Sequence, residues 1–461
     1  MIEKDFKSFR RDILKATAQK TDGMLLSYDD ALEEVREYLQ EKMSEERAEE
    51  IKLETSNTGE VIKDKEYLRE KKKKHRELIN ECIGIKNIRV KGYEGDKIYQ
   101  FIDEMVAEFA GYSILEEAFQ DPGVSDIYVI DWDTIFVEKN GVNERYPHTF
   151  RSPKHCENVL KRFLGEAGKE INLGDSKIVD FELYQDRGAA TSPAVSPRGY
   201  SMTLRKHSED HITKDQLVEQ NVMNDKIADL LGMLIIGETN LVCAGLTGSG
   251  KTTTLRALID HNVTKVNKRM LVCEDTQELF PKNEHTLELV SVKSDDSRLA
   301  VSLRDLIFTA LRLKPKYIIV GEVRGLEAEA AVEAMETGHS TMFTIHGGNP
   351  WNVINRIVTK YLMAMPTLGI DVVERIIGSG IDYIFIQDNI PGIGRRITSL
   401  TEVGYDFNTR RVTTKTIFRY DFEKKDWVWE GKLAEDKIDK MLRRGIPLEQ
   451  LEPWMETKWK V

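Results

Sequence analysis

The sequence predicts an α/β chain centred on a mostly parallel sheet, and three observations carry that prediction. Between about residues 225 and 405, apolar β runs at 241–244, 270–273, 317–320, 341–345 and 383–386 alternate with helix-compatible stretches. Short, fully apolar runs separated by helices are how strands buried on both faces read. From about 95 to 220 the runs are shorter and broken by turns, which predicts an α+β domain. The first 90 or so residues are dense in charge, which predicts a charged helical, partly mobile extension. The expected organisation is an extension over 1–90, an α+β domain over 91–220, the parallel-sheet domain over 225–410, and a β and helical tail over 411–461.

Each element has a local reason. In the extension the sharpest charge block is Arg69-Glu70-Lys71-Lys72-Lys73-Lys74-His75-Arg76. Acidic residues crowd the same region, so a solvated helix or linker is preferred over an anionic-lipid or nucleic-acid patch. Residues 98–115 form an amphipathic pattern that runs into the turn Asp121-Pro122-Gly123. Strand-like 126–130 and 134–138 follow, separated by Asp131-Trp132-Asp133, with the hairpin signal Asn140-Gly141 directly after. A helix is expected around 155–166, a loop over 191–199 with Pro193 and Pro197, and a strand over 200–205. Past Gly404, a turn at 406–409 separates β-like runs, and a basic helix is expected around 433–444.

Bulk properties narrow the function classes. At 461 residues the chain is too long for one ordinary core. A net charge of −11 argues against a surface built mainly to hold nucleic acid. Cys82, Cys156, Cys243 and Cys273 form no CxxC pair, disulfide framework or zinc knuckle, and a reducing cytosol fits them. The N-terminus lacks a signal pattern, and no apolar stretch reaches the ~18 residues that span a bilayer. Any work at a membrane is expected of a peripheral, cytoplasmic protein.

The strongest motif is Gly245-Leu246-Thr247-Gly248-Ser249-Gly250-Lys251-Thr252, a full match to G-x-x-x-x-G-K-[ST]. Glycines let the backbone turn so that successive N–H groups point at phosphate oxygens. The helix opening at Lys251 adds the positive end of its dipole. Lys251 is suited to the β and γ phosphates of ATP, and the Thr252 hydroxyl to Mg²⁺. The expected nucleotide-binding set is Gly245, Thr247, Gly248, Ser249, Gly250, Lys251, Thr252 and Thr253.

Such a site also needs carboxylates at the ends of neighbouring strands. The 270–273 run ends in Glu274-Asp275, with Glu278 close behind, and the 317–320 run ends in Gly321-Glu322, a Walker-B-like strand. Glu322 is expected beside Thr252 at the metal. Arg304, Arg312 and Arg324 are candidates for the cation that developing phosphate charge requires, at least one of the three being catalytic. His339 and His346 follow in order, His346 at a strand end where a side chain senses phosphate through water.

Four blocks in this order carry a resemblance. They are the Walker A loop, Glu274-Asp275-Thr276-Gln277-Glu278-Leu279, Ile318-Ile319-Val320-Gly321-Glu322-Val323-Arg324-Gly325, and Thr337-Gly338-His339 with Thr344-Ile345-His346. The chain resembles the secretion-superfamily ATPases of type II and type IV secretion, pilus and archaellum machines. In that family the blocks are Walker A, Asp box, Walker B and His box. The resemblance implies a RecA-like P-loop NTPase domain, with Glu274 activating water, Glu322 in the Walker B role, and His339 and His346 as the His box.

Upstream, Asp121-Pro122-Gly123-Val124-Ser125-Asp126-Ile127 and Phe136-Val137-Glu138 resemble the family's PAS-like N-terminal sensing domain. The likeness implies that Val179-Asp180 and Leu204-Arg205 approach the nucleotide, Arg205 contacting it. The likeness covers about 95 to 405 and is nearest the CpaF-like, Tad-pilus branch, from 312–324 and Arg395-Arg396-Ile397-Thr398. The paired-cysteine zinc module of many type II secretion ATPases is absent, and Asp186-Arg187-Gly188-Ala189-Ala190 departs from the commoner pattern.

The resemblance implies a homohexameric ATPase, with ATP and Mg²⁺ as cofactors, at the inner face of the cytoplasmic membrane. Its hydrolysis would drive an inner-membrane platform protein in pilus assembly or secretion. No stable nucleic-acid partner is expected. The alternative is a DNA translocase or conjugation-type coupling ATPase in which Lys71–Lys74 contacts DNA. A GTPase is disfavoured, because no N-K-x-D motif occurs.

Overall fold

The computed structural model describes residues 25–53, 64–207, 211–292, 294, 296 and 298–455. Two compact units divide the chain, Met1–Glu209 and Asp210–Val461.

The first unit opens with helices α1 (Tyr28–Leu53), α2 (Lys65–Ile85) and α3 (Ile98–Ala110). The sequence suggested a solvated extension here, but Ile79 and Cys82 of α2 and Phe101 and Met105 of α3 are fully buried in a helical core shared with α1. In α2, Leu68, His75, Ile79, Cys82 and Ile83 recur at the helical period inside a charge-rich run, and that spacing makes the buried stripe. Residues 1–24 and 54–63 of the expected extension lie outside the described residues. The charge block forms part of α2, where Lys71 pairs with Glu166, Lys72 with Glu116 and Arg76 with Asp103.

The rest of the unit is a six-stranded antiparallel sheet with one long helix. Strands β1 (Val124–Asp131), β2 (Thr134–Lys139) and β3 (Val142–Arg145) precede helix α4 (Pro153–Glu166). Strands β4 (Ile178–Leu183), β5 (Asp186–Thr191) and β6 (Ser201–Arg205) follow, and the sheet order is β3-β2-β1-β6-β5-β4. Asn140 and Gly141 take φ of 52° and 81°, the left-handed pair that a tight two-residue hairpin requires. Ser152 accepts from the His155 N–H and Pro153 occupies the first turn, which fixes the start of α4.

The second unit contains α5 (Asp225–Ile236), β7 (Leu241–Gly245), α6 (Lys251–Val266), β8 (Met270–Glu274), β9 (Thr286–Val290) and α7 (Leu303–Arg312). It continues with β10 (Tyr317–Val323), α8 (Glu327–Glu336), β11 (Ser340–His346), α9 (Pro350–Ala364), α10 (Ile370–Gly380) and β12 (Tyr383–Ile390). It ends with β13 (Gly394–Asp406), β14 (Arg411–Asp421), β15 (Asp426–Trp429) and α11 (Glu435–Arg443).

All nine strands form one sheet, ordered β9-β8-β10-β11-β7-β12-β13-β14-β15. The pairings from β9 through β12 are parallel and those from β12 to β15 antiparallel. Residues 411–429, set apart as a tail in the sequence, thus extend the central sheet by two strands. Successive residues of the parallel strands enter opposite cores: Leu241 and Cys243 face one layer, Val242 and Ala244 the other. That two-sided burial is why these strands read as unbroken apolar runs. All four cysteines are free and buried. No helix among the described residues is long and apolar enough to cross a membrane.

Candidate functional site

In a parallel sheet the carboxyl ends of the strands open onto one edge, and the motif residues gather there. Strand β7 ends at Gly245, opposite His346 of β11 and Gln387 of β12. A Cβ on Gly245 would stand 2.1 Å from the Gln387 carbonyl oxygen, so only glycine fits where the loop leaves the strand. Gly248 and Gly250 adopt φ of 76° and 89°, and Gly250 caps α6. Lys251 opens that helix and is buried, its Nζ donating 3.1 Å to the Leu246 carbonyl. Burial lowers its pKa, and the Glu322 charge opposes that shift. Thr247 is exposed, and Thr252 and Thr253 are half-buried on the first helical turn.

Around the loop, buried polar atoms lack partners: Ser249 Oγ, Thr254 Oγ1, Gln387 Oε1 and Glu322 Oε1. Nothing stands within 4 Å of a Cβ placed on Gly248. Orphaned donors and acceptors beside a glycine turn and a buried lysine fit a polyanionic ligand with its cation. Among the described residues no His, Cys, Asp and Glu cluster forms a metal cage by itself. A Mg²⁺ held by one hydroxyl, one carboxylate, waters and phosphate oxygens needs none.

Strand β10 supplies the next group. Its register with β11 shifts between Val320 and Val323, and Glu322 lies within that irregularity. His346 Nε2 lies 2.8 Å from Glu322 Oε1, outside hydrogen-bonding alignment. Arg324 Nε donates 2.9 Å to Glu322 Oε2. Burial lowers the His346 pKa and the nearby Lys251 charge lowers it further. Lys251, Glu322, Arg324 and His346 are therefore one electrostatic cluster.

Glu274, at the end of β8, is 2% exposed. Its carboxylate accepts from the Glu278 N–H at 3.2 Å and the Leu279 N–H at 3.4 Å. Burial pushes its pKa up to about 7, against those two hydrogen bonds. A Cβ on Gly321 would meet Glu274 Cγ at 2.9 Å, so the glycine before Glu322 makes room for Glu274. A carboxylate poised near neutrality suits general-base work.

Other predicted residues sit elsewhere. Arg304 bonds Glu329, a carboxylate 1% exposed, at 2.9 Å across α7 and α8, and stacks on Phe308. Arg312 ends α7, on the side where that helix feeds the start of β10, and is exposed. His339 precedes β11 and bonds Thr337 Oγ1 at 3.0 Å. The strand carries it away from His346 at the far end by about 23 Å, at ~3.3 Å per residue. Within one chain, then, His339 and Arg312 are not brought to the loop: the strand and helix they terminate run away from it. Arg205, in the first unit, bonds Asp126 Oδ1 at 2.7 Å.

Three neighbours of the loop were not anticipated. Gln387 Nε2 donates to the Ser249 carbonyl at 2.7 Å. Arg395 Nε donates to the Gly248 carbonyl at 3.3 Å. Asp388, its pKa raised by burial and drawn down by Lys251, adds a third carboxyl near the lysine. Their signal was faint: polar residues ending an apolar run, Ile386-Gln387-Asp388, at the same edge as the motif strands.

The site is a glycine loop that runs into a buried lysine at one edge of an α/β sheet, with acidic groups on two adjacent strand ends. Residues 176–386 match the family described as "Type II/IV secretion system protein". An uncharacterized protein of Methanocaldococcus jannaschii is 28% identical over 365 residues, covering 77% of this chain and 63% of that relative. The chain therefore spans less than two thirds of that relative's length. The conjugal transfer protein TrbB of Rhizobium radiobacter is 32% identical over 219 residues, 47% of this chain and 64% of TrbB. Among solved structures, the Legionella pneumophila ATPase DotB matches at 21% identity and a TM-score of 0.47, covering 73% of this chain and 83% of that one. The family model thus matches less than half of the chain, which is similar over that stretch to type II/IV secretion system proteins and to a conjugal transfer protein.

Proposed function

We propose that the chain is a RecA-like, Mg²⁺-dependent ATPase that works as a homohexameric motor for pilus assembly or secretion. The observation that carries the reading is the convergence of Lys251, Glu322 and His346 on the loop that follows β7, with Glu274 at the neighbouring strand end against Gly321. Lys251 and the Gly248–Lys251 N–H groups would hold the phosphates, and Thr252 with Glu322 the metal. The bound metal would neutralise phosphate charge. Glu274 would take the proton of the attacking water, His346 would report phosphate through Glu322, and Arg324 is the arginine best supported for charge stabilisation in the same subunit. Arg205, Arg312 and His339 would act on a neighbour's nucleotide, while Arg304 is held by Glu329.

The inner-membrane platform protein, the cytoplasmic, membrane-peripheral location and the Tad-pilus branch rest on the sequence resemblance. A conjugation-type DNA motor is a second reading, favoured by the name of the conjugal transfer relative. Against its sequence basis, Lys71 and Lys72 already pair with Glu166 and Glu116. Steady-state ATP hydrolysis measured across protein concentration, with light scattering for mass, with and without DNA, separates the two. Turnover that rises with assembly to a six-subunit mass and ignores DNA supports the secretion motor. Activity in the monomer, or activity that depends on DNA and collapses with salt, replaces it with the translocase.

A further inference from the structure

The two flanks of the loop that follows β7 differ in chemistry. Glu274 ends β8, Glu322 lies in β10 and His346 ends β11, all on one side of β7 in the sheet. The other side carries β12 and β13, whose antiparallel pairing sets Asn389 opposite Arg395.

That hairpin seats Arg395 against the loop. Its Nε donates to the Gly248 carbonyl at 3.3 Å, and a Cβ on Gly250 would meet its Cδ at 3.2 Å. The residue is nonetheless exposed, and its Nη1 and Nη2 have no hydrogen-bond or ion-pair partner among the described residues. Asp388 stands on the same flank, near enough to Lys251 to feel its charge. A carboxyl there suits an uncharged group better than a further phosphate.

With Glu322 at the metal and Glu274 at the attacking water, the terminal phosphate lies on their flank. The nucleoside then leaves the loop over the opposite one, toward β13. A guanidinium tethered at Nε presents a planar, cationic face, and such a face stacks on aromatic rings.

We propose that Arg395 binds the nucleoside end of the substrate, its guanidinium laid on the face of the base. This rests on the ATPase reading, and adds to it the group that tells a nucleotide from a bare polyphosphate.

The test is calorimetric titration of the full chain with ADP and with pyrophosphate, both with Mg²⁺. ADP should bind the unaltered chain more tightly than pyrophosphate. Arg395→Ala should weaken ADP about tenfold and leave pyrophosphate within about twofold. Arg395→Lys keeps a cation but loses the plane, and should bind ADP as weakly as the alanine variant. Circular dichroism melts should stay near that of the unaltered chain, since Arg395 is exposed. Equal loss on both ligands would make Arg395 a brace of the loop and overturn the proposal. So would ADP binding that alanine leaves unchanged or lysine restores, or ADP bound no tighter than pyrophosphate at the outset. An unaltered chain that binds neither ligand would sink the ATPase reading itself, and the proposal with it.

Discussion

Gln387 Nε2 reaches across from β12 and donates a 2.7 Å hydrogen bond to the carbonyl of Ser249 inside the phosphate loop. The loop is thus braced from the strand beside it, and the other amide atom, Gln387 Oε1, is buried without a partner. Gln387→Ala should leave the Ser249 carbonyl unpaired and the loop less ordered. The expected cost is about 1–2 kcal/mol. A fluorescent ATP analogue should bind about 5- to 30-fold more weakly. Binding equal to that of the unaltered chain would show that the brace is dispensable.

Lys251→Ala should abolish turnover and weaken nucleotide binding. Its Nζ is buried beside Glu322 and donates to the Leu246 carbonyl of the loop, where the proposed phosphates would sit. Single-turnover hydrolysis and equilibrium binding measure the two effects separately.

Glu274 should give the pH profile of turnover its acid limb. With the pKa raised to about 7, the ionised base accumulates only above that value, so hydrolysis should rise through pH 7 and level off. Stability runs the other way. The folded group holds a proton that the unfolded group releases at its ordinary value of 4.5, so stability falls as pH rises from about 4.5 to 7. Glu274→Gln should therefore block turnover with ATP still bound, and raise the melting temperature at pH 8 by several degrees. The upper bound is about 3 kcal/mol at ~1.4 kcal/mol per pKa unit. Normal turnover in this variant would reassign the base.

The candidate arginines should separate by phenotype. Arg304→Ala strands Glu329, a carboxylate 1% exposed, and should destabilise by about 3 kcal/mol. Hydrolysis per folded molecule should stay within about twofold if its role is the ion pair alone. Arg324→Ala removes a cation from Glu322 and should depress turnover with little change in melting temperature, since Arg324 is exposed.

Asp382 should anchor the C-terminal helix to the sheet. Its buried carboxylate receives the Asn240 N–H at 2.7 Å, Lys437 at 2.7 Å and Lys440 at 2.5 Å. These cations hold its pKa below the usual carboxylate range against burial. The stability it contributes is complete above the unfolded carboxylate value and lost as pH falls through the lower folded value. Asp382→Asn should cost about 3–5 kcal/mol at pH 7, read by urea unfolding, and flatten the acid limb of the stability profile.

The parallel strands were legible because burial on both faces leaves a direct record: runs such as 318–320 contain nothing polar. The turn of the 245–252 loop was legible because its backbone takes left-handed angles at Gly248 and Gly250. The helical core of α1 to α3 was masked by composition, since five buried positions in α2 are scattered among lysines and glutamates. Arg304 and His339 looked equivalent to Arg324 and His346 as residue types, yet one is spent on Glu329 and the other terminates the wrong end of β11.

The sequence by itself determined the alternation of strands and helices, the loop that turns on Gly248 and Gly250, and the acidic strand ends at Glu274 and Glu322. These are local properties, set by period and by backbone freedom. Tertiary structure alone decided which of those groups meet. Strand order brings β11 and β12 to either side of β7 and places Gln387 and Asp388 beside the loop. Strand order is a global property, because the residues it juxtaposes lie more than a hundred positions apart and no local pattern encodes their distance.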